Sequence, residues 1–246
     1  MGEIVELCGL SGSGKSSLCH IVAASVARAY VEETPPKDRR AVVAHIDTGL
    51  NLSPSLLIKY LAGSSEGDSY LRVEGNAREA LRCVRCVRAL DVRSAMRGLL
   101  ELSHDSKSSS DLKLIVVDTV SALFSSLLGG EKSLIVHATL AEFASSLKRF
   151  AHRVGAAVLV TNTTVAGRDA ATRNALNVAG SRKPALGRTW KGIPSVRLWL
   201  ERVHDAEAQA QSDAPLVVAK VMKSPRAPRG SQSERFALIA DRTDAP

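Results

Sequence analysis

Eight residues near the N-terminus, Gly9-Leu10-Ser11-Gly12-Ser13-Gly14-Lys15-Ser16, satisfy the spacing G-x-x-x-x-G-K-[ST]. Each residue type has a physical task there. Glycines let the main chain approach phosphate oxygens, the N–H groups of the loop and of a following helix surround the anion, and a lysine reaches the β and γ phosphates. A serine hydroxyl is a hard oxygen donor of the kind Mg²⁺ prefers. The motif therefore predicts a nucleotide-binding run over Gly9, Leu10, Ser11, Gly12, Ser13, Gly14, Lys15, Ser16 and Ser17, with the nucleotide's phosphates and Mg²⁺ as ligands. In that run Lys15 is the catalytic cation and Ser16 a metal ligand. A second candidate metal residue, Asp118, closes the apolar run "LKLIVVD". A carboxylate at the C-terminal end of a strand can hold the hydrated magnesium, although an acid in that position also serves as a helix N-cap.

The elements that must position these groups alternate. "GEIVELCG" reads as a buried strand entering the loop, and "SSLCHIVAASVARAY" as the helix leaving it, with Leu18, Ile21, Val22 and Val26 on one face. "AVVAHID" is a second apolar strand ending at Asp47, "NAREAL" a helical turn, "RCVRCVR" a third strand and "DVRSAMRGLLEL" a helix. The polar stretches "AGSSEGDSY" and "SHDSKSSSD" read as loops. "LKLIVVD" is continuous enough for a strand covered on both faces. Leu140, Phe143, Ala144, Leu147, Phe150, Ala151 and Val154 trace a long amphipathic helix that Gly155 stops, and "AAVLVTN" is the next strand. Farther on, "SVRLWLERV" alternates Val196, Leu198 and Leu200 against Arg197, Trp199 and Glu201, as an antiparallel strand with one wetter face would, with "PLVVAKVMK" and "RFALIA" as partners. The fold class expected is α/β: a mostly parallel central sheet flanked by helices, with a C-terminal antiparallel extension, in one domain over residues 1–246.

Composition narrows the setting. With 246 residues, 45% of them hydrophobic, the chain has enough material for one large core. No run approaches the roughly 20 apolar residues of a membrane helix, so no membrane partner is expected and a soluble intracellular protein is. Cys8, Cys19, Cys83 and Cys86 lie in apolar segments, which argues for free thiols. The C-x-x-C of Cys83 and Cys86 lacks a second ligand pair for zinc, and within a strand its two thiols point to opposite faces. The net charge of +8 favours a polyanionic partner, and it is localised: from Ala166 to Lys191 six cations, Arg168, Arg173, Arg182, Lys183, Arg188 and Lys191, face one anion, Asp169.

Taken together, "GEIVELCGLSGSGKSS", "LKLIVVDTVSALFSSLLGG", "GAAVLVTN" and "KPALGRTWKGIPSVRLWL" resemble the RecA-type recombinase superfamily and, within it, are similar to the D-type branch of the eukaryotic recombinase paralogues. The resemblance runs in order from Gly2 to about Ala240. It implies a nuclear subunit that binds ATP, with Asp118 as the Walker B acid. It further implies a hetero-oligomer with other recombinase paralogues, acting in homologous-recombination repair and helping recombinase assemble on single-stranded DNA. One DNA-facing loop is then expected near Ser125 to Lys132. The second spans about Thr163 to Ile193, which is the basic segment already identified from charge, and Trp190 there is a candidate for stacking on a base.

Three departures accompany the resemblance. Active recombinases carry a glutamate two residues beyond the acid ending the second strand, and that position here is Gly49, in Asp47-Thr48-Gly49. Hydrolysis is accordingly expected to be weak, with Asp47 or a neighbouring subunit as the remaining source of a base. Thr163 stands where a γ-phosphate-sensing glutamine is expected, which puts coupling between nucleotide and DNA in doubt. The family's small N-terminal domain and linker are expected to be absent. The alternatives are a self-sufficient DNA-stimulated ATPase or a small-molecule kinase. The string "SSLLGGEKS" follows Asp118 instead of preceding it, which is the wrong order for an ABC-type ATPase.

Overall fold

The computed structural model describes residues 2–62, 70–104, 111–125, 127, 133–166, 182–203, 215–227 and 233–237. The chain lays down β1 (Ile4–Gly9), α1 (Lys15–Glu33), β2 (Val43–Asp47), α2 (Pro54–Ala62), α3 (Tyr70–Arg82), β3 (Val84–Arg88), α4 (Val92–His104) and β4 (Leu114–Asp118). There follow α5 (Val120–Ser125), α6 (Ser133–Val154), β5 (Ala157–Asn162), β6 (Thr164–Ala166), β7 (Arg182–Pro184), α7 (Gly187–Lys191), β8 (Val196–Arg202), β9 (Leu216–Lys223) and β10 (Ser233–Ala237). The sequence loops "AGSSEGDSY" and "SHDSKSSSD" fall, at residues 63–69 and 105–110, outside the described residues.

The main sheet has eight strands in the order β10-β9-β8-β1-β5-β4-β2-β3. Pairing from β3 through to β8 is parallel, and β9 and β10 are added antiparallel. Strand alternation sorts the core into two layers. On β4, Leu114 and Val116 join the cluster built on α1, α2 and α3, while Ile115 and Val117 join the cluster built on α4, α5, α6 and α7. Strands buried on both faces explain the unbroken apolar run: each of these side chains contributes about 1.5–3 kcal/mol on leaving water. All seven apolar positions read on the long helix belong to the second cluster, Val154 at its margin.

Four sequence expectations are corrected. The face of α1 against the sheet is its small-residue face, Ala23, Ala24 and Ala27, because only short side chains let a helix lie close to a central sheet. Leu18, Ile21, Val22 and Val26 are half-buried at the edge of that cluster, beside Tyr60 and Leu61 of α2 and Ala77 and Ala80 of α3. "NAREAL" is not an isolated turn but part of the 13-residue α3. "SVRLWLERV" is parallel to β1 on one side and antiparallel to β9 on the other. Its supposed wet face is buried at Arg197 and Trp199, since Arg197 has an internal partner described below. Finally, only Cys86 lies within β3, since Cys83 precedes it; Cys83 is buried and Cys86 exposed, so their separation is not set by strand alternation.

Parallel pairing has a consequence for position. Register places Asp47 beside Asp118 and Cys8 beside Asn162, so the ends of β1, β2, β4 and β5 meet at one edge of the sheet. In open α/β sheets that edge, outside the carboxyl ends of the strands, is where ligands bind. No helix among the described residues is long and apolar enough to cross a membrane.

Candidate functional site

The glycine loop bridges β1 and α1. Gly14, the residue before α1, has φ 89° and Gly12 has φ 75°, left-handed conformations that glycine adopts without a Cβ penalty. Gly9 is required for space: a Cβ there would lie 2.3 Å from the Leu200 carbonyl oxygen and 2.6 Å from Ser13 Oγ. Lys15 Nζ donates to the carbonyls of Gly9 (3.0 Å) and Leu10 (2.6 Å). Burial lowers the Lys15 pKa, and the Asp118 charge acts against that fall. The start of α1 carries neither a side-chain cap nor an acidic residue in its first turn, so its dipole faces the loop uncompensated.

The loop opens into a cleft of about 260 Å³ lined by Ser11, Gly12, Gly14, Lys15, Ser16, Ser17, Asn51, Asp118, Thr119, Thr161, Thr163 and Arg202. The structure thus brings the predicted phosphate loop, both predicted metal residues and Thr163 to one place. Asn51 and Arg202 were not legible in the sequence. Arg202 reaches the cleft because β8 runs parallel to β1 with Leu200 beside Gly9, a pairing that no local pattern announces.

Strand ends hold the cleft floor. Asp118 accepts a short hydrogen bond from Thr161 Oγ1 at Oδ1, and its Oδ2 has no partner among the described residues. Thr48 Oγ1 donates to Thr119 O (3.0 Å) and accepts from Thr119 N (2.7 Å), while Thr119 Oγ1 donates to Thr161 O (2.8 Å). These bonds lock β2, β4 and β5 together. The residues fit a magnesium nucleotide: a cradle too tight for any Cβ at Gly9, a cation, a hydroxyl on the first turn of α1 and a carboxylate oxygen with no other partner.

Asp47 is placed differently from the expectation that it is a base. Its Oδ1 accepts from the N–H groups of Gly49 (3.2 Å) and Asn51 (3.1 Å), and its Oδ2 from Leu52 (3.0 Å). Those three bonds turn the chain after β2 and occupy both carboxylate oxygens, so Asp47 closes a loop instead of addressing the cleft. Gly49 is exposed, without a side chain, in the same turn. Behind the loop lie His20 of α1 and His45 of β2, rings 5.5 Å apart between centroids and both buried. Burial lowers both pKa values, that of His45 to about 4, with the neighbouring His20 adding to the fall and Asp118 and Asp47 opposing it.

A second polar centre connects β1 to the basic segment. Glu6, fully buried on β1, accepts from Asn162 Nδ2 (2.7 Å), Trp190 Nε1 (2.8 Å) and, in a short ion pair, Arg197 Nε. Trp190 is therefore a core residue, and base stacking by it is ruled out: its ring is wholly buried. The base of the segment expected to form the second DNA-facing loop is a two-stranded ribbon in which Thr164 pairs with Pro184 and Ala166 with Arg182. Lys183, Arg188 and Lys191 line a pocket of about 290 Å³ together with Arg197, and Arg182 is exposed beside them. Arg168 and Arg173 lie outside the described residues, as does most of the loop expected at Ser125 to Lys132.

Comparison with known proteins agrees with this geometry. The model of the Rad51 family matches residues 1–241. The chain is 33% identical over 231 residues to DNA repair protein RAD51 homolog 4 of Bos taurus, covering 94% of this chain and 64% of that protein. It is 30% identical over 232 residues to the Mus musculus protein of the same name, covering 94% and 63%. It is also 32% identical over 169 residues to DNA repair protein RAD51 of Saccharomyces cerevisiae, covering 67% of this chain and 38% of that one. The chain thus spans a little under two thirds of the first relatives' length. In fold it is similar to the crystal structure of the RadB recombinase, with a TM-score of 0.64 and 19% identity over 96% of this chain and 87% of that one.

Proposed function

The chain belongs to the Rad51 family, and from that premise we propose that it is an ATP-binding subunit of a nuclear recombinase-paralogue complex, assisting recombinase assembly on single-stranded DNA in homologous-recombination repair. The observation that carries this reading is an intact phosphate cradle beside a turn with no catalytic carboxylate. Ser11, Gly12, Gly14, Lys15, Ser16, Ser17 and Asp118 line one cleft, whereas Gly49 has no side chain and both oxygens of Asp47 accept from backbone N–H groups. MgATP, when bound, supplies a polyanion held by Lys15 and the α1 N-terminus, with Ser16 and Asp118 as the oxygen donors for its metal.

Without a positioned base, proton removal from an attacking water lacks the 10²- to 10⁴-fold contribution such a group typically makes. Hydrolysis is therefore weak, and ATP acts mainly by mass action: a ligand bound at a subunit boundary stabilises the assembled form without turnover. Arg182, Lys183, Arg188 and Lys191, at the base of the loop, supply phosphate contacts that position DNA without reading its sequence.

The test is to capture the tagged chain from nuclear extract with and without ATP and to identify the co-purifying subunits. Rad51-family partners retained in an ATP-dependent manner by the native chain and lost from Lys15→Ala support the proposal. Lys15→Ala with unchanged nucleotide affinity and partner retention defeats it. Phosphate release by the isolated chain, strongly stimulated by single-stranded DNA, indicates instead a self-sufficient ATPase.

A further inference from the structure

The magnesium reading leaves the imidazoles of His20 and His45 unexplained. They come from different elements, α1 and β2, and converge with Asp118 of β4 so that one donor atom of each lies within 4.8 Å of the others. All three are buried, and among the described residues all four ring nitrogens, together with Asp118 Oδ2, have no hydrogen-bond partner. Such desolvation without compensation is rare, because buried polar groups in native proteins are almost always paired. Two imidazoles and a carboxylate are together a set of metal-ligating side chains, and a bound cation would satisfy one nitrogen of each ring and the open carboxylate oxygen.

We propose that His20, His45 and Asp118 form a site for one transition-metal dication, with Zn²⁺ the best match, tying α1, β2 and β4 together immediately behind the phosphate loop. Two nitrogens and one oxygen are a donor set that zinc accepts with a water completing the tetrahedron, while magnesium and calcium prefer oxygen alone. Metal–ligand bonds of about 2.0–2.1 Å imply donors about 3.3 Å apart in a tetrahedron. The donors, now within 4.8 Å of one another, must draw together by up to about 1.5 Å to reach that geometry. Both sites draw on Asp118, whose Oδ2 is the oxygen left open beside the Thr161 bond, so the two are told apart by their other ligands, His20 and His45 for this dication and Ser16 for the metal of the nucleotide.

The experiment is a titration of the chelator-treated, nucleotide-free chain with Co²⁺, followed by its visible absorption, and with Zn²⁺ by calorimetry. One equivalent bound at about 10 µM or tighter, with the intense bands of a low-coordinate cobalt centre, is the expected result. His45→Phe and His20→Leu each weaken binding by at least roughly 100-fold, because loss of a ligand should exceed the effect of losing an outer hydrogen-bond partner. Ser16→Ala leaves it unchanged. The wild-type cobalt spectrum stands as an independent readout should either histidine variant fail to fold. Absence of saturable binding overturns the proposal, as does binding that survives both histidine changes or disappears in Ser16→Ala.

Discussion

Replacing Arg197 by Met tests the buried centre that joins the phosphate-loop strand to the basic segment. Glu6 is fully buried and Arg197 only 7% exposed, so neither charge can be rescued by water when the other is removed. Breaking a buried pair by deleting one partner costs about 3–5 kcal/mol. Glu6 would keep two N–H donors, Trp190 Nε1 and Asn162 Nδ2. Hydrogen bonds to a charged group are worth about 1.5–3 kcal/mol each, which places the expected loss at the low end, about 3 kcal/mol. For a domain of this size that is a fall in Tm of roughly 6–12 °C. Urea unfolding followed by circular dichroism reads the difference directly. The double variant Glu6→Gln, Arg197→Met removes both charges while the amide oxygen can still accept from Trp190 Nε1 and Asn162 Nδ2, and should recover part of the loss. A loss below about 1 kcal/mol for Arg197→Met, or a cycle showing no coupling between the two positions, refutes the reasoning that this pair anchors Trp190 and Asn162.

Two further outcomes concern the sites themselves. Gly49→Glu returns a carboxylate to the turn after β2 and should raise single-turnover ATP hydrolysis by about 10²-fold or more. A Cβ at Gly49 would lie 2.5 Å from Asn51 Nδ2, so the gain should be larger when Asn51→Ala clears that side chain, and no gain in either form counts against the missing-base explanation. In the basic segment, Lys183→Ala, Arg188→Ala and Lys191→Ala should each weaken single-stranded DNA binding without changing sequence preference. Each should also lower the slope of log affinity against log salt by about 0.7. An unchanged slope means that these cations do not meet phosphates.

The sequence made one edge of the sheet legible and hid most of what surrounds it, for a reason that lies in the range of the interactions. The phosphate loop is local: its glycines, lysine and serine sit within eight consecutive residues, and their spacing alone dictates a turn that cradles an anion. Asp118 could be read because a fully buried strand must be continuously apolar and must stop at a polar residue. The Glu6 centre is of another kind. Its partners are 156, 184 and 191 residues away, and Arg197 and Trp199 mimic the polar and amphipathic face of an exposed strand until the parallel pairing of β8 with β1 is known. Asp47 failed in the same way, since an acid ending a strand has one sequence signature whether it faces a ligand or, as here, turns back on three backbone N–H groups. The two failures point in one direction. The groups that bind nucleotide are intact and locally encoded, while the acid nearest the missing catalytic position is committed to holding its own loop. On the proposed reading, a site arranged in this way retains ATP more readily than it consumes it, and what links it to the basic segment is a buried ion pair, with Thr163 standing where the resemblance implies a γ-phosphate-sensing glutamine.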